Sequence, residues 1–310
     1  MTKMKFPLIA ALSMVAGSLI LSGCSNPTDA PKSSDSAAGG TLTVSSANFT
    51  ESEIIGNLYA EGLKDKGYTI ETKFNIGSRE AYIPALSDGS IDLIPDYTGN
   101  LLIFLDEGAD VSSPESILAA LPDALKAKKL TMLTPASAED KDAVVVTRET
   151  ADKWKLKSIE DLVAHNDELV IAGPPEFKER TRGLPGLKKA YGLVPSKFEP
   201  ISDGGGPATV KALLAGDVTA ANIFTTSTAI PANDLVVLED PKNNFPAQQV
   251  VPVAAEGKLD DTAVQTLDAI SAKLSTEELI KLNEQVSGDS KVEPKQAAIT
   301  WLTDQGLLSK

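Results

Sequence analysis

Sulfur and imidazole are almost missing from this chain. Among 310 residues there is one cysteine, Cys24, and one histidine, His165. A lone cysteine excludes an intramolecular disulfide, and the two residues together cannot make a Cys/His zinc site. Catalysis of the Ser-His-Asp or Cys-His kind needs a base within hydrogen-bond reach of a nucleophile. His165 lies in the polar loop "AHNDEL" and reads as a solvated loop residue. No G-x-S-x-G elbow and no G-x-x-x-x-G-K-[ST] loop occur, and "DGGGPAT" (203–209) lacks the spacing of a dinucleotide fingerprint. Neither a metal ion nor a cofactor is expected, and no catalytic residues are assigned. Positive charge is also short. Lys and Arg number 29 against 43 acids, a formal net charge of −14, with no basic stripe interleaved with aromatics. Nucleic acid is therefore not an expected partner. Aromatic residues make up only 5% of the chain, so a ring at a strand end is a signal.

What is present begins at the N-terminus, "MTKMKFPLIAALSMVAGSLILSGC". Lys3 and Lys5 precede an apolar run, 6–21, that falls short of the about 20 residues of a spanning helix. The run ends in Leu21-Ser22-Gly23-Cys24, which resembles the bacterial lipoprotein box. The expectation is a signal peptide over 1–23 and lipidation at Cys24. Two acyl chains there would suffice for stable membrane anchoring. Residues 24–40 are rich in Ser, Pro, Ala, Gly and Asp without apolar periodicity, and read as a flexible tether.

From Thr41 onward strand-like and helix-like segments alternate. "TLTVSS" reads as a strand. The following helix places Ile54, Ile55, Leu58 and Leu63 on one face, with Thr50 and Glu53 as a capping box. "YTIETKFNI", "SREAYIPALSDG" and "IDLI" complete a βαβαβ order, which implies a parallel sheet. A helix is expected at 114–128 behind Ser113. "DAVVVT" (142–147) opens a second series with helices at 184–191 and 207–216 and strands at 169–173 and 218–224. After "QQVVPVAA" three helices close the chain, near 261–273, 276–285 and 294–304. The pattern predicts an α/β fold of two lobes, 41–143 with 250–310 and 144–249, joined by two crossing segments. Ligand would lie in the cleft between them, at strand carboxyl ends and helix N-termini.

Tyr97, just past the third strand in "IDLIPDYTGN", falls in that cleft. The stretches "SSANFTESEIIGNLYAEGLKDKGY", "FNIGSREAYIPALSDGSIDLIPDYTG", "GPPEFKERTRGLPGLKKAYGL", "AGDVTAANIFTT" and "LEDPKNNFPAQQVVPV" occur in order. Together they resemble the substrate-binding lipoproteins of osmoprotectant ABC importers, the glycine betaine/carnitine/choline (ProX/OpuC) type. The resemblance implies a type II periplasmic binding fold that closes on a small zwitterion or quaternary amine and delivers it to ABC permease subunits. It places Tyr97 and Phe224 in an aromatic cage, Arg180 on the ligand carboxylate, and Asn100 where a hydroxyl usually meets that carboxylate. Asn48, Thr98, Phe177, Thr225 and Thr226 fall in the same stretches as further contacts, and Arg79 is a second anion candidate. Such a cage suits a quaternary ammonium, which donates no ordinary hydrogen bond but is attracted to ring faces. Two departures stand out. Asp142 occupies a position where close betaine binders carry a tyrosine, and "GGPATV" offers no ring. The alternatives kept open are another amino-acid-derived or cyclic cation, and an extracytoplasmic enzyme using paired carboxylates.

Overall fold

The computed structural model describes residues 40–288 and 290–309. The signal-peptide, Cys24 and tether readings lie outside the described residues, apart from Gly40. No helix among the described residues is long and apolar enough to cross a membrane.

The chain opens with β1 (Thr41–Ser45), α1 (Thr50–Asp65), β2 (Thr69–Lys73), α2 (Arg79–Ser87) and β3 (Leu93–Tyr97). It continues through α3 (Thr98–Leu105), α4 (Pro114–Lys126) and β4 (Leu130–Met132). The first crossing then leads to β5 (Asp142–Thr147), α5 (Arg148–Trp154), β6 (Val170–Gly173), α6 (Leu184–Tyr191) and β7 (Lys197–Pro200). Next come α7 (Pro207–Leu214), β8 (Ala220–Phe224), α8 (Ala229–Ala232) and β9 (Leu235–Val237). The chain returns as β10 (Val250–Ala255) and ends in α9 (Asp261–Lys273), α10 (Thr276–Ser287) and α11 (Pro294–Asp304).

Two five-stranded sheets result, ordered β2-β1-β3-β10-β4 and β7-β6-β8-β5-β9. Each keeps the parallel βαβ pairs expected from the alternation and adds an antiparallel strand, β10 beside β3 and β5 beside β8. The period-2 pleat gives each sheet two apolar faces. In β10, Val250 and Ala254 join the core that holds α1 and α9–α11, whereas Val251 and Val253 join the core beneath α2–α4. In β3, Leu93 and Tyr97 share the first face and Ile94 the second.

Several expectations need correction. Thr50 is the first residue of α1 and Phe49 its extended N-cap, without a side-chain cap, so the Thr50/Glu53 box does not form. The division at 143/144 cuts through β5, because Asp142 and Ala143 already pair with Phe224 and Ile223 in the second sheet. The chain therefore crosses ahead of Asp142. The two crossing segments touch through a Glu139–Gln249 bridge. Helices α3, α5 and α8 and strands β4 and β7 have no counterpart in the sequence reading.

Candidate functional site

A cavity of about 600 Å³ lies between the two sheets and takes its lining from both lobes. Its aromatic part is built at the ends of three elements. Phe49 stands at the N-cap of α1, Tyr97 is the last residue of β3, and Phe224 is the last residue of β8. The centroid of Phe49 lies 5.2 Å from that of Phe224 at 58° and 6.1 Å from that of Tyr97 at 32°. The two tilted pairs have the spacing of favourable aromatic contacts. Gly204 brings the loop ahead of α7 against them. Its φ is +61°, and a Cβ there would meet the Phe49 Cβ at 2.9 Å and the Phe224 ring at 3.3 Å.

Asp142 stands directly across the antiparallel ladder from Phe224, so the two side chains share one face of the second sheet. Asn100 Nδ2 donates to its Oδ2 at 2.7 Å, and Asn222 Nδ2 to its Oδ1 at 3.1 Å. The first donor comes from α3 of lobe 1 and the second from β8 of lobe 2. Among the described residues no Lys, Arg or His forms an ion pair with Asp142.

Two of the three arginines in the lining are engaged. Arg79, read from sequence as an anion contact, lines the cavity, but its guanidinium is buried against Asp96. Asp96 also accepts from the Tyr82 hydroxyl at 2.8 Å. Burial opposes the Arg79 charge, yet Asp96 beside it holds the guanidinium above its ordinary pKa. Arg180 reaches across the cleft to Glu80 of α2 in a two-pronged pair, Nε to Oε1 at 3.2 Å and Nη2 to Oε2 at 3.0 Å. Partial burial works against ionisation of Glu80, but the hydrogen bonds from Arg180 and Ser78 bring its carboxyl down to about 2.

Behind the rings lies a buried carboxylate that sequence reasoning missed. Glu51 Oε1 accepts from the Tyr97 hydroxyl at 2.5 Å. Its Oε2 accepts from the Thr226 hydroxyl at 2.5 Å and from Asn283 Nδ2, on α10, at 2.6 Å. Asp140, on the first crossing segment, faces it. Burial and then the charge of Glu51 push the Asp140 carboxyl well above its ordinary range. Burial raises Glu51 as well, with its three side-chain donors working against that rise. The hydrogen bond to Glu51 orients the Tyr97 ring, and burial with that carboxylate holds its hydroxyl protonated far above the usual range.

Of the residues singled out from sequence, Asn48, Arg79, Tyr97, Asn100, Asp142, Phe177, Arg180 and Phe224 line the cavity. Asn48 also bridges the lobes through Ser202 at 3.3 Å. Thr98, Thr225 and Thr226 are not in the lining. Thr98 accepts from the Gln249 amide at 3.1 Å. Thr225 accepts from the Lys141 amide at 3.0 Å and donates to Asp140, and Thr226 is buried on Glu51 and Asp140. The glycines ahead of α7 do not leave its N-terminus open to a ligand carboxylate. Asp203 fills it, accepting from the amides of Ala208 and Thr209 at 2.7 and 3.1 Å. Phe49 and Glu80 went unread although both lie in quoted stretches. Glu51 resembled an ordinary acidic first turn, and Asn222 an interior strand residue.

These features can be set beside known proteins. The family profile OpuAC, the substrate binding domain of ABC-type glycine betaine transport systems, matches residues 40–304. The glycine betaine-binding protein YehZ of Escherichia coli (strain K12) is 28% identical over 281 residues, covering 87% of this chain and 92% of that one. The carnitine transport binding protein OpuCC of Listeria monocytogenes is 28% identical over 307 residues, covering 97% and 96%. A solved glycine betaine/carnitine/choline ABC transporter structure has a TM-score of 0.67 and 25% identity, covering 86% of this chain and 100% of that one. The two-lobed α/β architecture is that of periplasmic solute-binding proteins. With a profile match that runs through both lobes, the chain belongs to the family of substrate-binding domains of ABC-type glycine betaine transport systems.

Proposed function

We propose that the chain captures a small quaternary-ammonium solute between its lobes and hands it to the permease subunits of an ABC importer. The observation that carries this reading is the ring trio of Phe49, Tyr97 and Phe224 at one end of an interlobe cavity. Each ring face offers about 0.5–2 kcal/mol to a methylated ammonium, which the rings can surround without needing a hydrogen-bond donor from it. The similarity to proteins named for glycine betaine and carnitine points the same way. In this reading Asn48, Asn100, Asp142, Phe177 and Arg180 complete the lining around the ligand. Arg79 acts through Asp96, while Thr98, Thr225 and Thr226 brace the strand ends that carry the rings. Isothermal titration of the full chain with glycine betaine tests it. Saturable one-to-one binding that is lost in Tyr97→Ala is expected. No heat from folded protein with any quaternary amine would sink it.

The same reading places the protein outside the cytoplasm, on a membrane, through a lipidated Cys24. The motif Leu-Ser-Gly-Cys behind a short apolar run supports this. Cys24→Ser is expected to move the chain from the membrane fraction to the soluble fraction. Unchanged fractionation would argue against the anchor.

A further inference from the structure

Two of the three arginines that line the cleft already hold carboxylates of the chain itself. Arg180 grips Glu80 from the opposite lobe with two hydrogen bonds and lies 3.7 Å from Glu176. Asn100 spends an amide N–H on Asp142, Arg79 is closed off by Asp96, and Asp203 caps α7. Arg182 is the one lining cation without an ion pair among the described residues, and Glu107, Glu176 and Glu179 line the same cavity. Asp142 is the reverse case. Two neutral amides donate to it and no cation forms an ion pair with it among the described residues, although Arg79 lies within its field, and it stands directly across the ladder from Phe224.

A ligand carboxylate entering this cleft meets two obstacles. It must displace Glu80 to reach Arg180, and its charge is set against Asp142. A ligand with the same methylated nitrogen but a hydroxyl in place of the carboxylate meets neither obstacle. Its net charge faces an unpaired anion, and its O–H can donate to a group that only accepts.

We propose that, among small quaternary-ammonium solutes, this cleft selects the net cation over the zwitterion. Its ligand class is a quaternary amino alcohol of the choline kind. The rings hold the methylated nitrogen, Asp142 takes the hydroxyl, and Glu80 withdraws Arg180 from carboxylate binding. The inference rests on the quaternary-ammonium reading given above and adds the charge of the ligand and the two residues that set it.

The test is a pair of calorimetric titrations of the full chain, with choline and with glycine betaine, which share the trimethylammonium head and differ by one charge. Choline is expected to bind at least about tenfold more tightly, the size of one partly screened charge–charge interaction. Asp142→Asn should shrink that ratio by about tenfold, chiefly by weakening choline. Glu80→Gln, at a half-exposed position where folding is not at stake, should shrink it chiefly by strengthening betaine as Arg180 is released. Thermal melts of both variants establish that they are folded. Betaine binding more tightly than choline, or a ratio that neither variant moves, overturns the inference and leaves the quaternary-ammonium site standing. A Glu80→Gln variant that weakens both ligands alike makes the Arg180 pair a closing latch and overturns the role of Glu80. Binding of neither ligand overturns the inference, and the reading beneath it falls as well only when carnitine and other quaternary amines also give no heat.

Discussion

At the scale of single residues, the cleft depends on groups that never touch its contents. The hydroxyl of Tyr97 points away from the cavity into Glu51, and that bond fixes the plane of the ring. A hydrogen bond to a charged acceptor contributes about 1.5–3 kcal/mol. Tyr97→Phe keeps the ring and removes this donor. It is expected to lower stability by about that amount in urea unfolding while leaving ligand affinity within about threefold. A loss of binding as complete as in Tyr97→Ala would mean that the hydroxyl, not the ring, meets the ligand. The sequence made Tyr97 visible because aromatics are scarce and a strand ended there. Glu51 stayed hidden because an acid in a first helical turn is ordinary, and only tertiary packing buries it among donors from β3, α10 and the loop after β8.

Among elements, legibility followed the strength of local punctuation. Helices α6, α9 and α11 have the bounds their caps and periodicity predict, and β5 is found where "DAVVVT" placed it. Helix α3 was missed because "TGNLLIFL" starts with a glycine pair partner and then runs apolar with no polar face, so it shows no 3.6-residue contrast. The edge strands β4 and β7 are too short, at three and four residues, to show alternation. The glycine-rich turn between β7 and α7 is tightly packed. Gly205 has a φ of +79°, and a Cβ there would stand 2.8 Å from the Ile223 Cα. Gly205→Ala is therefore expected to cost about 1–3 kcal/mol, from left-handed strain and from pushing the loop off β8. Denaturant midpoints would check this, and an unchanged midpoint would contradict the packing described here.

For the whole molecule, the buried carboxyls of Asp140 and Glu51 tie stability to pH. Both carboxyls are raised, by burial first, so the folded chain holds more protons than the unfolded chain above about pH 4. Stability linked to this pair is greatest in acid and declines as pH rises through the folded values. Glu80 works in the opposite sense, adding stability above about pH 4 that is lost as pH falls through about 2, though its half-exposed pair with Arg180 is screened. Asp140→Asn removes the titrating partner and can still donate an amide N–H to Glu51. The decline in urea midpoint from about pH 5 to about pH 8 should be shallower in this variant, and equal slopes in both proteins would refute the assignment.

The order of the strands also decides how the molecule carries mechanical load. The described chain enters at β1 and leaves after α11, both in lobe 1, and lobe 2 is inserted between β4 and β10. Tension applied to the two ends therefore pulls on the first sheet. Lobe 2 hangs from the two crossing segments, which touch through the Glu139–Gln249 bridge, and lies off the direct line between the two ends. A tug on the N-terminal side is borne by the first sheet and reaches lobe 2 only through the two crossing segments.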